Sequence, residues 1–97
     1  MQMAKATELR ELASGFGLLS DATRLGILKL LAGGPKNVTA LCNALGLKQA
    51  RASHHLGLLR MGRLVVGTRK GKSVLYVTDV DTLKDLAVGL AKLMPRR

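Results

Sequence analysis

Apolar residues recur every three to four positions through the first two thirds of the chain, and then the period changes. Over 4–19, Leu9, Leu12, Ala13, Phe16 and Leu19 fall at helical spacing and predict an amphipathic helix. Gly15 and Gly17 weaken its C-terminal end. Ala22, Leu25, Leu28 and Ala32 set a second helix over 21–32, and Ile27, Leu30 and Leu31 widen its apolar stripe. Ser20 is the expected cap, with Asp21 favouring the first turn. Gly33-Gly34-Pro35 stops that helix. Asn37 reads as the N-cap of a short helix over 38–45, and Gly46 closes it as a C-cap glycine. Another helix starts at Lys48 or Gln49 and runs to about Met61, where Gly62 ends it.

Residues 63–69 and 73–78 are rich in β-branched side chains, with Gly71 and basic residues between them, and predict a β-hairpin. Residues 79–94 return to helical spacing through Val80, Leu83, Ala87, Leu90 and Met94. Leu86 and Leu93 widen this stripe beyond what one core contact needs. Only the tail Pro95-Arg96-Arg97 lacks a pattern. The expected fold class is mainly α with a small β-hairpin wing (α+β), in the order α-α-α-α-β-β-α.

Composition narrows the function. With 97 residues the chain is one domain, 1–97, and at 47% hydrophobic it folds rather than staying disordered. Its 16 Lys+Arg against 6 Asp+Glu give +10, which points to a polyanion and by default to nucleic acid. Phe16 and Tyr76 are the only aromatic residues, which argues against modules that stack bases on aromatic platforms. The single cysteine, Cys42, excludes an intramolecular disulfide framework and a cysteine-rich zinc finger. No apolar run approaches the about 20 residues of a membrane span, and no signal peptide is evident, so a cytoplasmic location is expected.

Helices 38–45 and 48–61, joined through Leu45-Gly46-Leu47, form a helix-turn-helix candidate. Projected at about 100° per residue, Ala52, His55, Leu56 and Leu59 fall on the inward side of the second helix. Ala50, Ser53, His54 and Gly57 fall on the opposite side, with Gln49 and Arg60 on one flank and Arg51 on the other. Small side chains let a backbone approach the major groove, and polar ones reach base edges. Gln49 can pair with adenine and Arg51 with guanine, while Ser53 and His54 can reach bases or phosphates. The hairpin that follows makes this a winged helix-turn-helix. Its tip carries Arg69, Lys70 and Lys72, suited to phosphate or minor-groove contact. Arg60 and Arg63 complete the set of expected backbone contacts.

The segments LSDATRLGILKLL (19–31), ALGLKQARASHHLGLLRMGRLV (44–65) and RKGKSVLYVT (69–78) resemble the ArsR/SmtB family of winged-helix repressors over nearly the whole chain. The most specific pieces are Gln49 with Ser53-His54-His55-Leu56 and Leu58-Leu59, and Asp21-x-x-Arg24. The resemblance implies a homodimeric repressor on an inverted-repeat operator in double-stranded DNA, paired through its first and last helices. Leu9, Leu12 and Phe16 of the first helix and Leu83, Leu86, Leu90 and Leu93 of the last are the candidate interface.

The family's metal-sensing positions are not matched. Where relatives carry a Cys-x-Cys at the start of the first helix-turn-helix helix, this chain has Asn37, Val38 and Thr39. The last helix has Asp79, Asp81 and Asp85 but no His or Cys, and these carboxylates read as caps and dipole partners. His54 and His55 are adjacent and diverge by about 100° on a helix, which keeps them from sharing one ion. No metal, cofactor or catalytic site is therefore expected, and GGPKNVT lacks the order of a phosphate loop. Cys42 reads as a small packing residue, or as a thiol switch through an intersubunit disulfide or a sulfenate. Two other readings stay open: a sequence-tolerant architectural DNA binder, and a protein-interaction module.

Overall fold

The computed structural model describes residues 3–96, with side chains from Ala6 onward; Arg97 of the tail lies outside the described residues. Five helices and one hairpin follow in the expected order: α1 (Met3–Leu19), α2 (Ala22–Leu31), α3 (Val38–Leu45), α4 (Gln49–Met61), β1 (Val65–Lys70), β2 (Ser73–Thr78) and α5 (Val80–Ala91). Helices α2, α3 and α4 enclose the core. Ile27, Leu41, Leu56 and Leu59 are buried there with Leu64 and Val65 from the root of the hairpin. Burying such side chains contributes about 1.5–3 kcal/mol each.

Local chemistry explains the helix ends. Asn37 accepts a hydrogen bond from the Ala40 amide at 2.9 Å and caps α3. Gly46 closes α3 in the left-handed conformation, φ 65°, which a glycine adopts without a Cβ clash. Three expectations need correction. The cap of α2 is Asp21, whose carboxylate accepts from the Arg24 amide at 3.0 Å. Ser20 instead donates its hydroxyl to the Gly17 carbonyl, completing the turn that leaves α1. The first strand starts at Val65, two residues late, because Arg63 takes a left-handed turn (φ 60°) and the Leu64 amide bonds back to Leu59. The last helix ends at Ala91 rather than at 94. Leu93 and Met94 keep the apolar pattern but stand exposed in the turn beyond it.

The hairpin is pinned to the helical core at its root and partway along β2. At the root, the Asp79 amide donates to the Leu64 carbonyl at 2.9 Å. Further out, Lys36 and Tyr76 exchange two backbone hydrogen bonds of 3.1 and 2.8 Å, so the approach to α3 adds a one-residue third strand. This bridge fixes the hairpin beside the start of α3 and therefore beside α4.

The molecule is elongated, 48 × 24 × 20 Å. Its radius of gyration, 15.1 Å, exceeds the about 13 Å expected of a compact chain of this length. The length leaves apolar side chains of α1 and α5 outside the core, among them Leu9, Val80, Val88 and Leu90, with Leu93 exposed just beyond α5.

Candidate nucleic-acid interface

Helix α4 presents the two faces expected of it. Ala52, His55, Leu56 and Leu59 are buried. Gln49, Ala50, Arg51, Ser53 and His54 are exposed, and a Cβ added at Gly57 would meet open space. The outer face is thus small and polar through its first half. Lys48 is the N-cap but makes no side-chain capping bond.

The hairpin register pairs Lys70 with Ser73 across a two-residue turn of Gly71 and Lys72. Gly71 has φ 60° and Lys72 does not share a positive φ, the arrangement of a type II′ turn with glycine first. Arg69, Lys70 and Lys72 are all exposed at this tip. Between the hairpin and α4 lies a cleft of about 400 Å³. Gln49 and Ser53 line it from α4, Lys72 and Ser73 from the hairpin, and Asn37 and Thr39 from the start of α3. Lys72 is the only charged one among the described residues that line it.

The structure therefore brings Gln49, Ser53 and Lys72 together. Arg51 and His54 are exposed on the same helix but do not line the cleft, and Arg60 and Arg63 stand exposed at the C-terminal end of α4. Thr39 and Ser73 escaped the sequence reading. Thr39 sits in the second position of α3, and the Lys36–Tyr76 bridge helps bring that helix start to the hairpin.

Behind the exposed face, His55 is held by α2. Arg24 donates from Nε to the Leu18 carbonyl at 2.6 Å, and its NH1 lies 3.3 Å from His55 Nδ1. The Asp21 carboxylate is 3.9 Å from the same nitrogen, too far for a hydrogen bond. Burial pushes the His55 pKa below 6.5, with Asp21 opposing the shift and Arg24 reinforcing it. The backbone bond from Arg24 holds Asp21 below the usual carboxylate value of 3.8. The rings of His54 and His55 meet edge to face, with centroids 5.5 Å apart. No three His, Cys, Asp or Glu side chains gather at a common point among the described residues.

The expected pairing residues fall into two groups. Leu86 is buried, and Leu12, Phe16 and Leu83 pack partly buried against the core of their own chain. Leu9, Leu90 and Leu93 are exposed, the last by 63%. Cys42 is free and half-buried on α3. No helix among the described residues is long and apolar enough to cross a membrane.

Comparison with known proteins agrees with this geometry. Residues 21–66 match the family described as bacterial regulatory protein, arsR family. The chain is 43% identical over 81 residues to the HTH-type transcriptional regulator NmtR of Mycobacterium tuberculosis, covering 80% of this chain and 68% of that protein. It is 45% identical over 62 residues to the arsenical resistance operon repressor of Escherichia coli, covering 63% of this chain and 53% of that one. The solved homodimeric winged helix-turn-helix DNA-binding domain of a candidate ArsR-family regulator from Mycobacterium bovis superposes with a TM-score of 0.80 at 31% identity, over 96% of this chain and 87% of that one. The match extends beyond the helix-turn-helix to the terminal helices, and the chain belongs to the ArsR family of winged-helix DNA-binding transcriptional regulators, which are not enzymes.

Proposed function

We propose that the protein is a homodimeric repressor that reads an inverted-repeat operator in double-stranded DNA. The observation that carries this reading is the exposed polar first half of α4, sharing a cleft with Lys72 of the wing. Gln49, Arg51, Ser53 and His54 contact base edges or adjacent phosphates. Arg60, Arg63, Arg69, Lys70 and Lys72 contact the backbone. Two α4 helices of a dimer would enter successive major grooves about 34–36 Å apart. Exposed Leu9 and Leu90 on the terminal helices, with Leu93 in the turn just beyond α5, support pairing there. Leu12, Phe16, Leu83 and Leu86 back that seam from within each chain. The single domain spans 1–97, with terminal helices that dimerise. Occlusion of the promoter is the mode of repression.

The sensing chemistry differs from that of thiolate and imidazole metal sites. Asn37 uses its side chain to cap α3, and Asp79 accepts from the Thr82 amide at 3.3 Å to cap α5. Neither helix start offers a cysteine or histidine. Regulation through Cys42 or through the protein's own level remains compatible with this arrangement.

The test is a titration at fixed salt of DNA from the protein's own upstream region against a scrambled duplex of equal length. A preference of about 10³ or more establishes operator reading. Equal and steeply salt-dependent affinity for both would favour a sequence-tolerant architectural binder, which a charge of +10 also suits.

A further inference from the structure

The contacts that hold α4 from behind are almost all apolar. Ala52, Leu56 and Leu59 bury their side chains without directional bonds. His55 is the exception. Only 8% exposed, it places Nδ1 3.3 Å from the Arg24 guanidinium. A guanidinium has donors and no acceptor, so Nδ1 must accept, and the ring proton sits on Nε2. Arg24 is itself fixed twice: its Nε donates to the Leu18 carbonyl at the end of α1, and its backbone amide donates to the Asp21 carboxylate. One side chain, rooted in the first turn of α2 where the backbone amide is held by Asp21, thus joins the end of α1 to the middle of α4. His55 is next to His54 and two residues from Ser53, both on the exposed face.

We propose that Arg24 is a positioning residue for DNA reading: through neutral His55 it fixes the rotation of α4, and with it the points where Gln49, Ser53 and His54 meet the groove. The proposal deepens the DNA-binding reading and rests on it. Apolar packing alone tolerates small rotations of a helix, whereas a hydrogen bond weakens steeply away from its preferred direction.

The contact has a signature that mere core packing lacks. A proton on Nδ1 would face the guanidinium and remove the acceptor. The charged groups acting on His55 are Asp21 and Arg24 from α2, and Arg51 and His54 from α4 itself. Helix α3 has no charged residue, and the only ones on β1 are Arg69 and Lys70 at the wing end. Asp21 alone would favour protonation, and it lies beyond hydrogen-bond distance. Acid therefore breaks the lock and weakens DNA binding.

The experiment measures the affinity of the full chain for a labelled duplex from its own upstream region, and for a scrambled duplex, between about pH 8 and pH 5.5, the range in which histidine titrates. His55→Asn keeps an acceptor near the position of Nδ1 and cannot be protonated there. Ring-nitrogen NMR shifts of the wild type report the tautomer. At pH 8 the two proteins are expected to bind alike, with His55 as the Nε2–H tautomer. On acidification the wild type should lose affinity, at most about tenfold per pH unit for one proton, while His55→Asn does not. Arg24→Lys, which cannot hold Leu18 and His55 in one planar fork, should lower the preference for the upstream duplex severalfold while retaining its thermal transition. Parallel pH profiles for wild type and His55→Asn, or an Nδ1–H tautomer at pH 8, would overturn the lock. A wild type that binds neither duplex at pH 8 would overturn the DNA-binding reading itself, a distinguishable result.

Discussion

Leu86 of α5 fills the place where Gly15 of α1 has no side chain, and a Cβ built on Gly15 would collide with its methyl groups. The relation is reciprocal, since Leu12 of α1 sits in the same way on Gly89 of α5. Leu18, one turn beyond Gly15, covers Gly62 at the end of α4. The first and last helices are thus braced against each other by leucine seated on glycine. The brace explains why Leu12 and Leu86 turn inward while Leu9, Leu90 and Leu93 stay exposed.

This brace gives two alanine substitutions in one helix opposite outcomes. Gly17→Ala faces open space and should stabilise the fold by up to about 1 kcal/mol through helix propensity. Gly15→Ala gains the same propensity but overpacks Leu86 at a cost of about 1–3 kcal/mol. Thermal or urea unfolding of the two variants should therefore show shifts of opposite sign, or at least a lower midpoint for Gly15→Ala.

Arg63 separates stability from binding. Its left-handed backbone (φ 60°) is costly for a side chain with a Cβ, by roughly 1 kcal/mol. Arg63→Gly should raise the unfolding midpoint. If Arg63 also meets a phosphate, the same variant should lower the slope of log affinity against log salt by about 1. Paired unfolding and salt-titration curves check both halves.

The wing should act without regard to sequence. Lys72→Ala and Lys70→Ala are expected to weaken operator and scrambled duplexes alike, each reducing the salt slope by about 1. A change in the ratio of the two affinities would mean that the tip reads bases.

Stability should depend on pH in two separate windows. His55 has a pKa below 6.5 in the folded state, so between the two values the unfolded chain holds more of that proton. Stability is then fully present above about pH 6.5 and declines as pH falls towards the folded value. His55→Asn should flatten this first decline. Asp21 contributes stability above its unfolded value of 3.8, which is lost as pH falls through the lower folded value. Asp21→Asn should remove that acid limb and, because the Asp21 carboxylate opposes the fall of the His55 pKa, carry the first decline to lower pH. Denaturant midpoints across pH resolve the two.

Much of this molecule was legible in its sequence because helical and strand periods differ and the turn residues are specific. Asn37, Gly46 and Gly71 each named a boundary through their own chemistry. The inward set Ala52, His55, Leu56 and Leu59 followed from a projection alone. Where the reading slipped, the deciding physics was hydrogen bonding rather than pattern. Ser20 and Asp21 are neighbouring capable caps, and the extended backbone at Asp21 (φ −144°, ψ 129°) decides between them. Leu93 and Met94 continue an apolar stripe after the helix has ended. The Lys36–Tyr76 bridge is one residue long and has no period to detect. The contact between Arg24 and His55 joins residues 31 apart in the chain, which no local pattern marks.

The central claim is that α4 reads base sequence through its exposed first half, and Gln49→Ala tests it most directly. The measurement is the ratio of affinities for the upstream duplex and its scrambled counterpart at one salt concentration, for wild type, Gln49→Ala and Lys72→Ala. Loss of a bidentate base contact corresponds to about 1–3 kcal/mol of discrimination, so the ratio should fall roughly 5- to 150-fold in Gln49→Ala and hold steady in Lys72→Ala. An unchanged ratio in Gln49→Ala would contradict the base-reading role assigned to this face of the helix.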